Sequence, residues 1–226
     1  MTHVLLRILI PALAVASGNA QLIHDIDQAQ LAREEKMTAY TVTETYTLRN
    51  TRFGEAAELV VNVSYTKGAG KTYQVVSRQG PSFLHTRVFD RMLQEEGEMS
   101  RGTVRQNSLI TSANYQMKPA GQQVLEGRTC DVLELTPRRP SPHLLHGKAW
   151  VDARTHNMIR VAGKPAASLS FWAGTPMVVR DYIEIGEFSF GRRSRVVTQG
   201  FLLGRSELNV DYTGYQIMPP EALVIK

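Results

Sequence analysis

Cysteine is almost missing from this 226-residue chain: Cys130 is the single one, so no internal disulfide can form and the core must hold by packing alone. Set in an alternating stretch, Cys130 reads as a small buried apolar residue and not as a nucleophile. Tryptophan is scarce, with two residues, and no apolar run reaches the roughly 20 residues that span a bilayer. Neither sign of charge dominates. Lysine and arginine number 26 against 21 aspartates and glutamates, for a net +5. That balance suits weak attraction to an anionic membrane surface or headgroup, whereas a nucleic-acid module would interleave basic and aromatic residues on a recognisable scaffold; no nucleic acid is expected as partner.

Catalytic signatures are missing too. There is no Gly-x-Ser-x-Gly elbow and no Cys–His pair with a local signature, so no catalytic residue is expected and the chain reads as a non-enzyme. His143 with His146, and Asp152 with His156, are the best metal candidates. Their spacing is that of neither a zinc finger nor a zincin, so no metal or other cofactor is expected. Lys67–Lys71 holds Gly68 and Gly70 but lacks phosphate-loop spacing and a following helix; it reads as a hairpin turn.

What is present is a leader, two amphipathic helices and many short alternating segments. Met1 to Arg7 carries the one early positive charge, Ile8 to Ala16 is apolar, and Gly18-Asn19-Ala20 offers small residues to a signal peptidase. Residues 1–20 are therefore expected to be a signal peptide cleaved between Ala20 and Gln21, which lowers the net charge to +4 by removing Arg7 and leaves a soluble, exported chain. With no cysteine at this junction, lipid modification there is excluded. Residues 21–226 carry no composition break and are expected to form one domain.

Gln21 to Lys36 reads as a helix, with Asp25 and Asp27 early, Arg33 and Lys36 late, and Ile23, Ile26 and Ala29 at a three-residue spacing. Tyr40, Val42, Tyr46 and Leu48 then alternate against threonines, which fits a strand and not a helix. Glu44 interrupts that aromatic face, either as a carboxylate at the sheet edge or paired with an arginine, or in a catalytic or ligand-sensing role. Leu59 to Tyr65 and Tyr73 to Ser77 continue the meander. From Phe83 to Glu96 the period changes: Leu84, Val88, Phe89, Met92 and Leu93 recur at steps of three and four, with Ser82 as cap and Gly97 as stop. Thr103 to Ala113 is ambiguous, with a short helix one reading. Strands are expected again over Asn114 to Lys118, Gln122 to Glu126, Thr129 to Thr136, Met177 to Ile185, Phe188 to Thr198 and Leu202 to Ile217, before a tail beginning at Pro219.

The organising stretch runs from Cys130 to Trp172. Asp131 to Thr136 alternates, a loop broken by Pro137, Pro140 and Pro142 follows, and Leu145 to Val151 returns to strand. Asp152–Asn157 is a polar turn that folds the chain back into Met158 to Val161. The segment from Gly127 to Pro137, followed by Trp150-Val151-Asp152, a polar turn and Ile159-Arg160-Val161, resembles the outer-membrane lipoprotein-sorting proteins of the LolA-like superfamily.

That resemblance implies an α+β, mostly antiparallel fold: a half-open, curled β-barrel whose helices cover a hydrophobic cavity. It further implies a periplasmic carrier that shelters the acyl chains of lipoproteins or other lipids, working as a monomer and docking on a membrane protein. The alternative is a lipid-sensing regulatory or envelope-stress protein of the same fold. On this reading Phe83, Leu84, Val88, Phe89, Met92 and Leu93 of the helix, with Trp150 and Trp172, line the cavity and its cover. Arg192, Arg193 and Arg195 are either solvated rim charges or the seat of an anionic headgroup.

Overall fold

The computed structural model describes residues 10–51, 56–167, 176–200 and 204–218, with side chains from Gly18 onward. Ten strands form one antiparallel sheet: β1 (Ala39–Asn50), β2 (Ala56–Thr66), β3 (Gly70–Gln79), β4 (Tyr115–Leu125), β5 (Arg128–Pro137), β6 (Leu145–Asp152), β7 (Met158–Pro165), β8 (Met177–Ile185), β9 (Phe188–Gly200) and β10 (Gly204–Met218). Their order is β3-β2-β1-β10-β9-β8-β7-β6-β5-β4. Two meanders are thus zipped together where β1 pairs β10, and β3 and β4 are left as the two edges. The chain that joins β3 to β4 must therefore travel from one edge of the sheet to the other. It does so as helix, across the concave face.

Period-two alternation builds the sheet. In β1, Tyr40, Val42, Glu44, Tyr46 and Leu48 are buried while the intervening threonines are half-exposed. The expected hairpin between Asp152 and Asn157 is present: Asp152 Oδ1 accepts from the backbone N–H of Arg154 at 2.9 Å and of Thr155 at 3.0 Å, and β7 pairs back on β6.

Among the described residues, four helices flank the sheet: α1 (Ile10–Lys36), α2 (Ser82–Leu84), α3 (Asp90–Met99) and α4 (Gly102–Gln106). A π-helical turn, His85–Phe89, joins α2 to α3, so that residues 82–99 run as one covering helix. Helix α1 is longer than expected from Gln21 to Lys36 and passes through the expected cleavage point without a break. Two other expectations are corrected. Ser82 makes no cap, since the N-cap is Pro81 with no side-chain hydrogen bond. Gly97 does not stop the helix but lies buried inside α3, its α-carbon side turned to the Tyr73 ring and the Lys71 carbonyl. The true end comes at Ser100, whose hydroxyl donates to the Gly97 carbonyl at 2.6 Å and accepts the Lys71 backbone N–H at 2.7 Å. Gly70 makes that junction possible: with φ +84, a β-carbon there would lie 2.6 Å from Ser100 Oγ.

Burial falls into two clusters on the concave face. One gathers Tyr40, Val42, Tyr46, Leu48, Leu59, Val61, Val63, Phe190, Leu208 and Val210 under Phe89 and Leu93 of the covering helix. The other gathers Leu133, Leu135, Ala149, Val151, Met158 and Val161 under Ile26 of α1. This is the expected α+β architecture, a curled sheet that does not close, with helices laid against its inner surface. No helix among the described residues is long and apolar enough to cross a membrane.

Candidate functional site

The concave face beneath the covering helix is the candidate site. Its helical wall matches the expected stripe: Phe89 and Leu93 are buried, and Leu84, Val88 and Met92 pack half-buried against the same cluster. Phe83 departs from the expectation. It is 51% exposed at the start of the helix, one residue before the stripe begins.

Strand parity places the two tryptophans differently from the expected cavity lining. In β6, Ala149 and Val151 are buried inward, so Trp150 between them stands on the convex face, where its indole N–H donates to Gln123 Oε1 at 2.8 Å. Trp172 lies outside the described residues. The three arginines are not a free cationic rim either. Arg192 pairs with Glu126 at 2.6 Å, Arg193 with Asp211 at 2.6 Å and Arg195 with Glu207 at 2.9 Å, so each already has a carboxylate. The histidines and Cys130 do not converge, and the described residues hold no group of three potential metal ligands. Burial pushes the Cys130 thiol up, away from the reactive thiolate.

The sequence reading missed what lies at the centre of the apolar face. Glu44 is neither at an edge nor paired with an arginine; it is fully buried on β1, and Lys71 Nζ reaches across from β3 to it at 2.9 Å. The same ammonium meets Glu96 Oε1 of the covering helix at 2.5 Å. The Tyr46 hydroxyl bridges the two carboxylates, at 3.0 Å from Glu96 and in closer contact with Glu44. Burial, and next the charge of Glu96, hold the Glu44 carboxyl above the usual range. Glu96 is also raised by burial, but the Lys71 ammonium more than cancels this and holds it below that range. The Tyr73 hydroxyl, next to this cluster, is buried with no hydrogen-bond partner. A helix meant to cover an apolar face is thus bolted to that face by one buried ionic knot.

Two depressions lie at the rim of the α1 half. A depression of about 420 Å³ sits at the rim between α1 and the β6–β7 and β8–β9 turns, lined by Ala29, Arg33, Asn157, Glu184 and Gly186. Beside it, a second of about 500 Å³ is lined by Arg128, Thr129, Asp152 and Glu184. Both are polar. Among the described residues, the apolar cluster of the β1–β2 half is packed against Leu84, Val88, Phe89, Met92 and Leu93 of the covering helix.

No protein-family model matches the chain, and no curated protein does. Solved structures do resemble it. An outer membrane lipoprotein-sorting protein domain from Vibrio parahaemolyticus superposes with a TM-score of 0.53 at 12% identity, covering 89% of this chain and 94% of that one. A LolA superfamily protein from Nitrosomonas europaea gives 0.47 at 11% identity, covering 92% and 98%. A DUF1329 family protein from Desulfovibrio piger gives 0.45 at 12% identity, covering 90% and 93%. The fold of this chain is LolA-like.

Proposed function

We propose that the chain is an exported carrier of the periplasm, one domain over residues 21–226, that shelters acyl chains of lipoproteins or other lipids on its concave face. The observation that carries this reading is the packing of the covering helix: Leu84, Val88 and Met92 rest half-buried on a broad apolar face of the sheet. Each buried methylene of a guest chain gains about 0.8 kcal/mol, so an acyl chain can replace the contacts that this stripe gives up. The fold supports it, being shared with a domain described as lipoprotein-sorting. In this account Leu84, Val88, Phe89, Met92 and Leu93 contact the ligand, Phe83 stands at the entrance, the protein acts as a monomer without enzymatic chemistry, and a membrane protein receives the cargo.

Val88→Asp or Met92→Asp tests it. A carboxylate on the apolar face is costly unless paired, yet the sheet remains the main core. The variants should keep a cooperative thermal melt and lose displacement of a fluorescent fatty acid by at least about tenfold, near 1.4 kcal/mol. Unchanged binding, or outright unfolding, would remove the helix from the role of cover.

A second reading, a lipid sensor, is favoured by the Glu44–Lys71–Glu96 knot. Lifting the helix breaks a buried ion pair, which gives two discrete states and not a graded one. A sensor would bind its membrane partner only when loaded with lipid, or only when empty; a carrier would hand its lipid over.

A further inference from the structure

Following register across the sheet, Leu133, Ala149, Val161, Arg180, Ser194, Val210, Tyr46 and Leu59 lie side by side on the concave face. Seven of these eight are buried, and Arg180 is the only charged side chain among them. It sits between the apolar cluster under the covering helix and the one under α1. Its partners are weak and neutral: the Ser194 hydroxyl at 3.3 Å and the Tyr182 hydroxyl, with Tyr212 close by. Among the described residues no carboxylate lies within ion-pairing distance of it, and Glu96 acts on it only through space. Lys71 differs, for its ammonium is taken up by Glu44 and Glu96.

Half-buried on an otherwise apolar face, the Arg180 guanidinium has donors not taken up by any carboxylate within ion-pairing distance among the described residues, and an anion can offer it two oxygens. We propose that Arg180 is the headgroup seat of the site, binding the anionic group, carboxylate or phosphate, at the end of a single acyl chain whose tail lies along the adjoining apolar cluster. This rests on the lipid-binding reading above and deepens it by naming the ligand class. The geometry fits: a planar donor at mid-face, tyrosine hydroxyls flanking it, and apolar surface running away on both sides. It also moves headgroup recognition from the already paired Arg192, Arg193 and Arg195 to the half-buried Arg180 on the concave face.

The test compares dodecanoate, dodecyl phosphate and 1-dodecanol as competitors of a fluorescent acyl probe on the full chain, with Arg180→Gln beside the parent. The parent should bind at least one anionic ligand about tenfold tighter than the alcohol, as a charge-assisted hydrogen bond of about 1.5–3 kcal/mol requires. Whichever anion binds tighter identifies the headgroup. Arg180→Gln should lose this preference while binding the alcohol as the parent does. A parent that binds all three alike, or a variant that keeps the preference, overturns the assignment and leaves the lipid reading standing. A parent that binds none of the three fails the lipid reading itself, and the Arg180 seat with it. Should Arg180→Gln not fold, Arg180→Lys carries the test: its anion-over-alcohol ratio must fall below the parent's, since an ammonium cannot reproduce the two-pronged contact.

Discussion

The two halves of the concave face are closed in the same manner and held in opposite ways. Over β4–β7, α1 lays Ile26 on a buried apolar cluster and is tied down around its periphery: Asp27 accepts the Ser112 backbone N–H at 2.9 Å, Glu34 pairs with Arg105 at 2.7 Å, and Arg33 donates to the Glu187 carbonyl at 2.9 Å. Over β10-β1-β2-β3, the ties of the covering helix among the described residues include Arg78 with Asp90 at 2.8 Å and the His85 ring with the Gln79 carbonyl at 2.9 Å. Its strongest attachment is the knot beneath it. Many small external bonds make a fixed wall, because losing any one matters little. A single buried knot makes a latch, because one event releases the whole element. On the carrier proposal, this contrast makes the covering helix the element expected to open.

The largest expected effect comes from removing the shared cation. Lys71→Met leaves Glu44 buried with Glu96 close by and no positive charge between them, and breaking a buried pair this way typically costs about 3–5 kcal/mol. Urea unfolding should show that loss, and adding Glu44→Gln to the Lys71→Met background should return part of it. A cost below about 1 kcal/mol would mean that the knot carries no weight.

Glu96→Gln is gentler, since its side chain is 27% exposed and Glu44 keeps its own bond to Lys71. With the helix less firmly latched, the open state is more populated and apparent affinity rises in proportion. Fatty-acid binding should tighten by about three- to tenfold while the melting temperature falls. Equivalent loosening of α1 by Glu34→Gln should leave binding unchanged, and a matching gain there would erase the distinction between the halves.

Much of this was legible in the sequence, and the limits are instructive. The β1 alternation, the Asp152–Asn157 hairpin and the helical stripe from Leu84 to Leu93 were all readable because each is a local periodicity. The outward placement of Trp150 is encoded in its neighbours: the small apolar Ala149 and Val151 turn inward and so decide the parity of β6, against the pull of the larger ring. The knot was not readable. Glu44 showed as an anomaly, but its partners Lys71 and Glu96 come from β3 and α3, and only register and helix docking bring them together. Arg180 hid for another reason: β8 is half-buried on both sides, so its alternation leaves no imprint.

The smallest effect concerns the rim of the α1 half. Burial raises the Glu184 carboxyl, but hydrogen bonds from Asn157, Arg128 and Thr155 outweigh it and bring the group to about 2, against an ordinary 4.5. A carboxylate depressed in the folded state contributes stability above its unfolded value and loses it as pH falls toward the folded one. The parent should thus weaken progressively between about pH 4.5 and 2, and Glu184→Gln should flatten that part of the profile. Fatty-acid affinity at neutral pH should not follow, because this network braces the fixed wall.

The most direct test measures movement of the two helices on the same protein. With Cys130→Ala as background, spin labels at Arg91 on the covering helix and at Gln28 on α1 are each paired with one at Lys148 on the sheet, all three being exposed positions. Pulsed electron resonance on adding dodecanoate should shift the Arg91–Lys148 distance by several ångströms, about the thickness of an acyl chain (4–5 Å), and leave Gln28–Lys148 where it was. If the Gln28 pair moves and the Arg91 pair stays still, or if neither moves while the ligand binds, the latch and the wall have been assigned wrongly.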